Sequence, residues 1–145
     1  MLERHAHLYA DQKGWGEEFV ALIAGIIAEY LESHDPEREE AWIAELDSER
    51  AGAVYCTRKS DEVAQLRLLF VERWARGHGI GTRLVKRCLQ FARAKGYRRM
   101  MLWTNSSLAS ARRIYDALGF EQTAEEKHPA FPEGTVGQEL WLDLV

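Results

Sequence analysis

The stretch RWARGHGIGTRL, Arg73–Leu84, sets glycine at three alternate positions, Gly77, Gly79 and Gly81, directly ahead of a helix-like apolar pattern. Glycine lets main-chain N–H groups approach an anion, and the helix that follows points its positive end at the same place. The stretch therefore reads as a phosphate-binding loop with Arg76 beside it. Two common phosphate loops do not fit. The dinucleotide fingerprint needs GxGxxG, whereas the spacing here is GxGxG, and the GxxxxGK[ST] loop needs a lysine where this chain has none.

Working outward, VAQLRLLFV, Val63–Val71, is almost continuously apolar and reads as a central strand covered on both faces. After the loop, Ile80, Leu84, Val85, Cys88, Leu89 and Ala92 trace one face of a helix that stops near Lys95-Gly96. RRMMLWT, Arg98–Thr104, is the next strand. Asn105-Ser106-Ser107 offers capping oxygens to a helix marked by Leu108, Ala111, Ile114, Tyr115 and Leu118 and ended by Gly119. A strand begins at Phe120, and QELWLDL, Gln138–Leu144, alternates as a final strand. Upstream, Phe19, Leu22, Ile23, Ile26, Ile27, Tyr30 and Leu31 recur at helical spacing over Gly16–Ser33, and His34-Asp35-Pro36 breaks that helix. AWIAEL and AGAVYCTRKS then read as a hairpin around Asp47–Arg50.

The 145 residues suit a single domain, 1–145, with one core, and 46% hydrophobic content fits a globular chain. Cys56 and Cys88 sit in apolar segments with no CxxC or Cys/His spacing, so neither a disulfide framework nor a metal site is expected. The charged N-terminus lacks a signal-like apolar run, and FVALIAGIIA is too short to span a bilayer. A cytoplasmic location without membrane association is the expectation. The net charge of −4 argues against nucleic acid as a partner, yet ten Lys/Arg stand against one acid, Glu72, between Arg67 and Arg99. The glycine loop lies inside that basic segment.

Arg76-Gly77-His78-Gly79-Ile80-Gly81 resembles the [RQ]xxGx[GA] pyrophosphate loop of the GNAT superfamily of acyl-CoA-dependent N-acetyltransferases. WTNSSLASARRIYDALGF, Trp103–Phe120, is similar to the second CoA-contacting segment of that superfamily, and the element order matches from about Ala41 to Val145. The N-terminal part, from ERHAHLYADQKGWGEEF through DPEREEAWIAE, resembles the acetyltransferase half of fusions with a MarR-type regulator, without the regulator itself. The resemblance implies an α/β (α+β) GNAT fold: a twisted, mixed, mostly antiparallel sheet with helices on both faces and a CoA cleft between central strands. It also implies direct transfer of an acyl group from acetyl-CoA to a primary amine; a non-catalytic acyl-CoA sensor or regulatory module is the alternative.

By that resemblance, main-chain groups of Leu69 and Val71 hold the pantetheine arm. The N–H groups of Gly77, His78, Gly79, Ile80, Gly81 and Thr82 wrap the pyrophosphate, and Arg76 adds charge. Asn105 and Ser107 bond CoA from the other side, and Tyr115 is the general acid for the departing thiolate. No metal is called for. The base is where the chain departs from its relatives: several carry glutamate where Gln65 stands, and an amide takes no proton near neutral pH. Glu62, Glu72, His128, His5, His7 or a water chain remain for that role. The acceptor is a small-molecule amine or a protein amino group, with Asp35, Glu37, Glu39, Glu40, Glu125 and Glu126 available to attract a cation. Association into a homodimer stays open.

Overall fold

The computed structural model describes residues 17–145. Among these, three α-helices and six strands follow in the order α1 (Glu17–Ser33), β1 (Glu40–Leu46), β2 (Glu49–Arg58), β3 (Val63–Val71), α2 (Ile80–Ala94), β4 (Arg99–Asn105), α3 (Ala109–Ala117), β5 (Glu121–Glu126) and β6 (Gly137–Asp143). A short 3-10 turn, Arg73–Ala75, links β3 to the glycine loop. The strands form one open sheet ordered β1-β2-β3-β4-β6-β5. Neighbours are antiparallel except β3 and β4, which run parallel because α2 crosses between them.

The β1–β2 hairpin turns on two residues, Asp47 and Ser48, with φ of 54° and 68°. This is the left-handed pair that a right-twisted hairpin favours, and it is tighter than the four-residue turn expected from DSER. The strand Val63–Val71 and the C-terminal stop at Gly96, φ 84°, match the sequence reading.

The main core lies on one face of the sheet. Val54, Cys56, Leu66, Met100, Leu102 and Leu140 are buried there beneath Val85, Cys88 and Leu89 of α2 and Tyr115 of α3. The apolar stripe of α2 is the reason it lies on this face, and its lysines and arginines face out. Cys56 and Cys88 are fully buried free thiols. Burial first, and the adjoining Cys56 second, push the Cys88 thiol well up, so it stays a neutral core side chain.

α1 covers the opposite face. Ile23 is buried with Ile27, Leu68 and Phe131 around it, and Tyr30 meets the Tyr55 ring edge-on at 4.9 Å. The loop after α1 is tied down by Glu39, whose carboxylate accepts from the Asp35 N–H at 3.0 Å and the Arg58 N–H at 2.8 Å. A buried carboxylate satisfied by main-chain donors fixes the end of α1 to the end of β2. In sequence Glu39 looks like one more member of a solvated acidic run.

Candidate active site

The site begins with a fault in the sheet. β3 and β4 pair over three residues, Val63–Gln65 with 99–101, and then part. β3 stays with β2 as far as Val71, and β4 stays with β6 as far as Asn105, so a wedge opens between two strands that remain anchored on their outer sides. Past Gln65, β3 is no longer paired with β4.

A bulge in β3 sits within the wedge. Tyr55 pairs with Arg67 and Ala53 with Phe70, so Val54 alone faces both Leu68 and Leu69. Leu68 takes φ 55°, a left-handed conformation unusual for a branched side chain. The extra residue shifts the phase of the strand. Leu66 packs into the main core, Leu68 turns to the α1 face, and Leu69 and Val71 return to the main-core side.

Two cavities occupy the wedge. One, about 340 Å³, is lined by Leu69, Val71, Arg76, Gly77, Gly79, Ile80, Gly81 and Thr82, with Ser110, Ala111 and Ile114 of the α3 side opposite. The second, about 330 Å³, shares Leu69, Leu108 and Ala111 with the first and continues past Asn105 and Tyr115 to Ile23, Ile26, Glu126, His128 and Phe131. These last residues belong to the α1 face and the β5–β6 side. The wedge therefore joins the two faces of the sheet.

The glycines at its first end have separate reasons to be glycine. Gly77 and Gly79 take φ of 87° and 73°, with open space where a Cβ would stand. Gly81 has an ordinary backbone, but a Cβ there would lie 2.8 Å from Ile114 Cδ1, so it lets α2 and α3 approach. The single anion-approach role expected for all three is thus divided. The first intrahelical bond of α2 runs from the Arg83 N–H to the Gly79 carbonyl, leaving the N–H groups of Ile80, Gly81 and Thr82 without helical acceptors. Donors grouped in this way at a helix N-terminus suit an anion.

His78 is not on the cavity wall: its Nδ1 donates to the Ala75 carbonyl at 3.0 Å and closes the loop on itself. Asn105 is 3% exposed and lines the second cavity. Its Oδ1 accepts from the N–H and hydroxyl of Ser107 at 2.9 and 2.8 Å, and its Nδ2 donates to Thr135 Oγ1 at 3.2 Å. The expected cap of α3 is absent; Leu108 occupies the cap position, and Asn105 instead builds the turn that leads to it. Ser107 is engaged in that turn and is not on either wall of the wedge.

Tyr115 is 4% exposed, packs edge-on against Phe120 at 5.7 Å, and reaches the wall of the second cavity. Among the base candidates, His128 lines this cavity and Glu62 and Glu72 line neither; Gln65, excluded as a base, lies on the same wall. Glu72 is buried in the turn after β3, donating its N–H to Ala51 and accepting from the Ala75 N–H. His128 Nδ1 accepts the Ala130 N–H at 3.0 Å, which places the proton of the neutral ring on Nε2 and makes the free nitrogen a donor. His5 and His7 lie outside the described residues. Glu126, read from sequence only as part of an acidic loop, is the one carboxylate on the wall of this cavity among the described residues. No group of three or more His, Cys, Asp or Glu side chains among the described residues is placed to hold a metal ion, and no helix there is long and apolar enough to cross a membrane.

Comparison with known proteins agrees with this architecture. Human N-acetyltransferase 8 is 31% identical over 123 residues, spanning 81% of this chain and 54% of that protein. N-acetylaspartate synthetase of Danio rerio is 30% identical over 92 residues, 63% of this chain and 33% of that protein. The chain thus spans from a third to about half the length of these relatives. Among solved structures, the GNAT family acetyltransferase from Elizabethkingia anophelis with acetyl-CoA bound superposes with a TM-score of 0.68 at 22% identity, covering 82% of each chain. The Bacillus subtilis acetyltransferase in complex with CoA gives 0.69 at 23% identity, over 83% of this chain and 84% of that one. The model of the acetyltransferase (GNAT) family matches residues 2–120, and with the split sheet and its glycine loop the chain belongs to that family.

Proposed function

We propose that the chain transfers an acetyl group from acetyl-CoA to a primary amine inside the wedge between β3 and β4. The observation that carries this reading is the run of the wedge: a helix N-terminus suited to an anion at one end, a β3 edge parted from β4 along the middle, and an opening to the α1 face at the other. The pyrophosphate would sit on the Gly77–Thr82 loop with Arg76 beside it, and the pantetheine arm would run along Leu69 and Val71. The thioester would then meet an amine arriving from the α1 face. Both substrates are present together, so transfer is direct. The amine nitrogen forms the new C–N bond, the C–S bond breaks, and the departing thiolate takes a proton from Tyr115. The proton shed by the amine leaves toward Glu126 and solvent. Two relatives, N-acetyltransferase 8 and N-acetylaspartate synthetase, carry names that fit N-acetylation. The likeness of the N-terminal part to regulator fusions rests on its sequence alone.

The test is a thermal melt with acetyl-CoA followed by an amine panel read by thiol release. At a hundredfold excess over Kd, ligand binding adds about 2.7 kcal/mol, a rise of roughly 8 °C for a domain this size. ADP, lacking the pantetheine arm, should give a smaller rise. Gly79→Val should remove the rise in a protein that still melts cooperatively. No rise with wild type near millimolar acetyl-CoA refutes the reading, and binding without turnover of any amine points to the sensor alternative.

A further inference from the structure

A third cavity, about 350 Å³, lies on the α1 face between α1 and strands β2 and β3. It shares two wall residues with the wedge, Gln65 and Arg67. The space where an amine would arrive therefore adjoins a polar chamber, and an arginine stands between the two.

Of the six charged side chains on that chamber, Asp35, Glu39 and Arg58 are tied within the fold and Lys59 is exposed. The Glu39 carboxylate is held by two main-chain donors, the Arg58 guanidinium is paired with Asp61, and Asp35 Oδ1 accepts from the Glu37 N–H. Arg67 differs. Its side chain is 27% exposed, and its ion-pair partner, Glu29, lies 3.8 Å away on a side chain 70% exposed. A pair this long and this wet holds the guanidinium weakly. A carboxylate entering the chamber would meet a half-buried planar fork that binds such a group through two parallel hydrogen bonds.

Resting on the acetyl-transfer reading, we propose that the acceptor is a small amine carrying its own carboxylate, an amino-acid-type substrate, and that Arg67 receives that carboxylate while the amine faces the thioester. Glu29 is then an internal competitor, occupying Arg67 when the chamber is empty. A cavity of this volume suits a free small molecule. Within a peptide the α-carboxyl has become an amide, so the same fork would discriminate against an internal residue.

The experiment compares free amino acids with their carboxamides as acceptors for wild type, Arg67→Gln, Arg67→Lys and Glu29→Gln. Acetyl-CoA binding by thermal shift is measured on each protein. The carboxamide keeps the amine and side chain and loses only the charge. For wild type the acid should exceed its amide in kcat/KM by about tenfold or more, and Arg67→Gln should bring the ratio to within about threefold, chiefly through KM of the acid. Arg67→Lys should retain part of the preference. Glu29→Gln, a change on an exposed side chain, should lower KM for acids several-fold and leave that for amides unchanged. Equal use of acid and amide by wild type overturns the proposal, as does an unchanged ratio in an Arg67→Gln protein that still binds acetyl-CoA. Acetyl-CoA binding with no amino acid acetylated overturns it too, leaving the cofactor reading intact. A wild type that fails to bind acetyl-CoA overturns the acetyl-transfer reading itself.

Discussion

Gly52→Ala adds one methyl group where the sheet has no room for it. Gly52 pairs with Val71 across β2 and β3, and an added Cβ would lie 2.5 Å from the Phe70 carbonyl oxygen, 3.3 Å from Val71 Cα and 3.3 Å from Leu84 Cδ1. Leu84 can rotate its tip away, but the carbonyl is part of the β3 backbone and moves only with the strand. Ordinary carbon–oxygen contact requires the two strands to separate by about 0.7 Å, an overpacking strain of about 1–3 kcal/mol. A stretched ladder hydrogen bond adds about 1 kcal/mol. Removing glycine from a strand returns about 0.5–1 kcal/mol. The net loss is about 1–3.5 kcal/mol, a fall in Tm of roughly 3–12 °C for a domain of this size. Urea melts should show a lower midpoint at unchanged m-value. Because the displaced residue is Val71, on the wall of the wedge, the thermal shift with acetyl-CoA should shrink as well. Gly25→Ala is the matched control: within α1 a Cβ there meets nothing within 4 Å, so the same methyl should stabilise by about 0.5–1 kcal/mol. Gly52→Ala melting within about 0.5 kcal/mol of wild type would refute the reasoning.

Two further outcomes are expected. Tyr115→Phe keeps the ring contact with Phe120 and removes the hydroxyl, so turnover should drop about ten- to a thousandfold with the acetyl-CoA thermal shift preserved and the alkaline limb of the pH–rate profile altered; wild-type turnover would reduce Tyr115 to packing. Alkaline stability is the second. Tyr30 is pushed from 10.0 to about 12 by burial first and then by Glu40 and Glu39, and burial also raises Tyr55 and Tyr97. A raised phenol binds its proton more tightly in the folded state, so this stabilisation is complete below pH 10 and is lost as pH climbs through about 12. Denaturant midpoints should slope downward across that window, and Tyr30→Phe should flatten the slope; a flat wild-type profile would contradict the burial of these rings.

Where the sequence was legible, local rules and tertiary placement agreed. Val63–Val71 reads as a central strand because both faces are apolar, and the glycine loop reads as a turn into a helix because Gly77 and Gly79 need positive φ. Element order then places both in the sheet. What was hidden needed partners from elsewhere in the chain. The bulge cannot be seen in VAQLRLLFV, since a strand apolar on both faces shows no break in alternation when one residue is added. Gly52 reads as an ordinary small residue until Phe70 is known to lie across from it. Glu39 blends into a charged run and Arg67 is a lone charge in an apolar strand, and their roles come from Arg58 and Glu29, which the fold brings beside them. Glu126 and Phe131 become neighbours of the wedge through the β5–β6 side of the fold.

The bulge divides β3 into two stretches that obey different rules of inheritance. Up to Leu66 the strand is specified by what its side chains fill, so a change of volume there is felt by Val85 and Met100 across the same core. Beyond Leu68, on the acetyl-transfer reading we propose, the contribution to the wedge is made by peptide groups, which every residue but proline supplies alike. Substitution among apolar residues at Leu69 or Val71 would leave that contribution in place, whereas deleting a single residue would turn their side chains to the opposite face and misalign the peptide groups. In such a site chemistry is carried by residue count rather than residue identity, and descendants of this chain can drift in composition here while remaining strict about length.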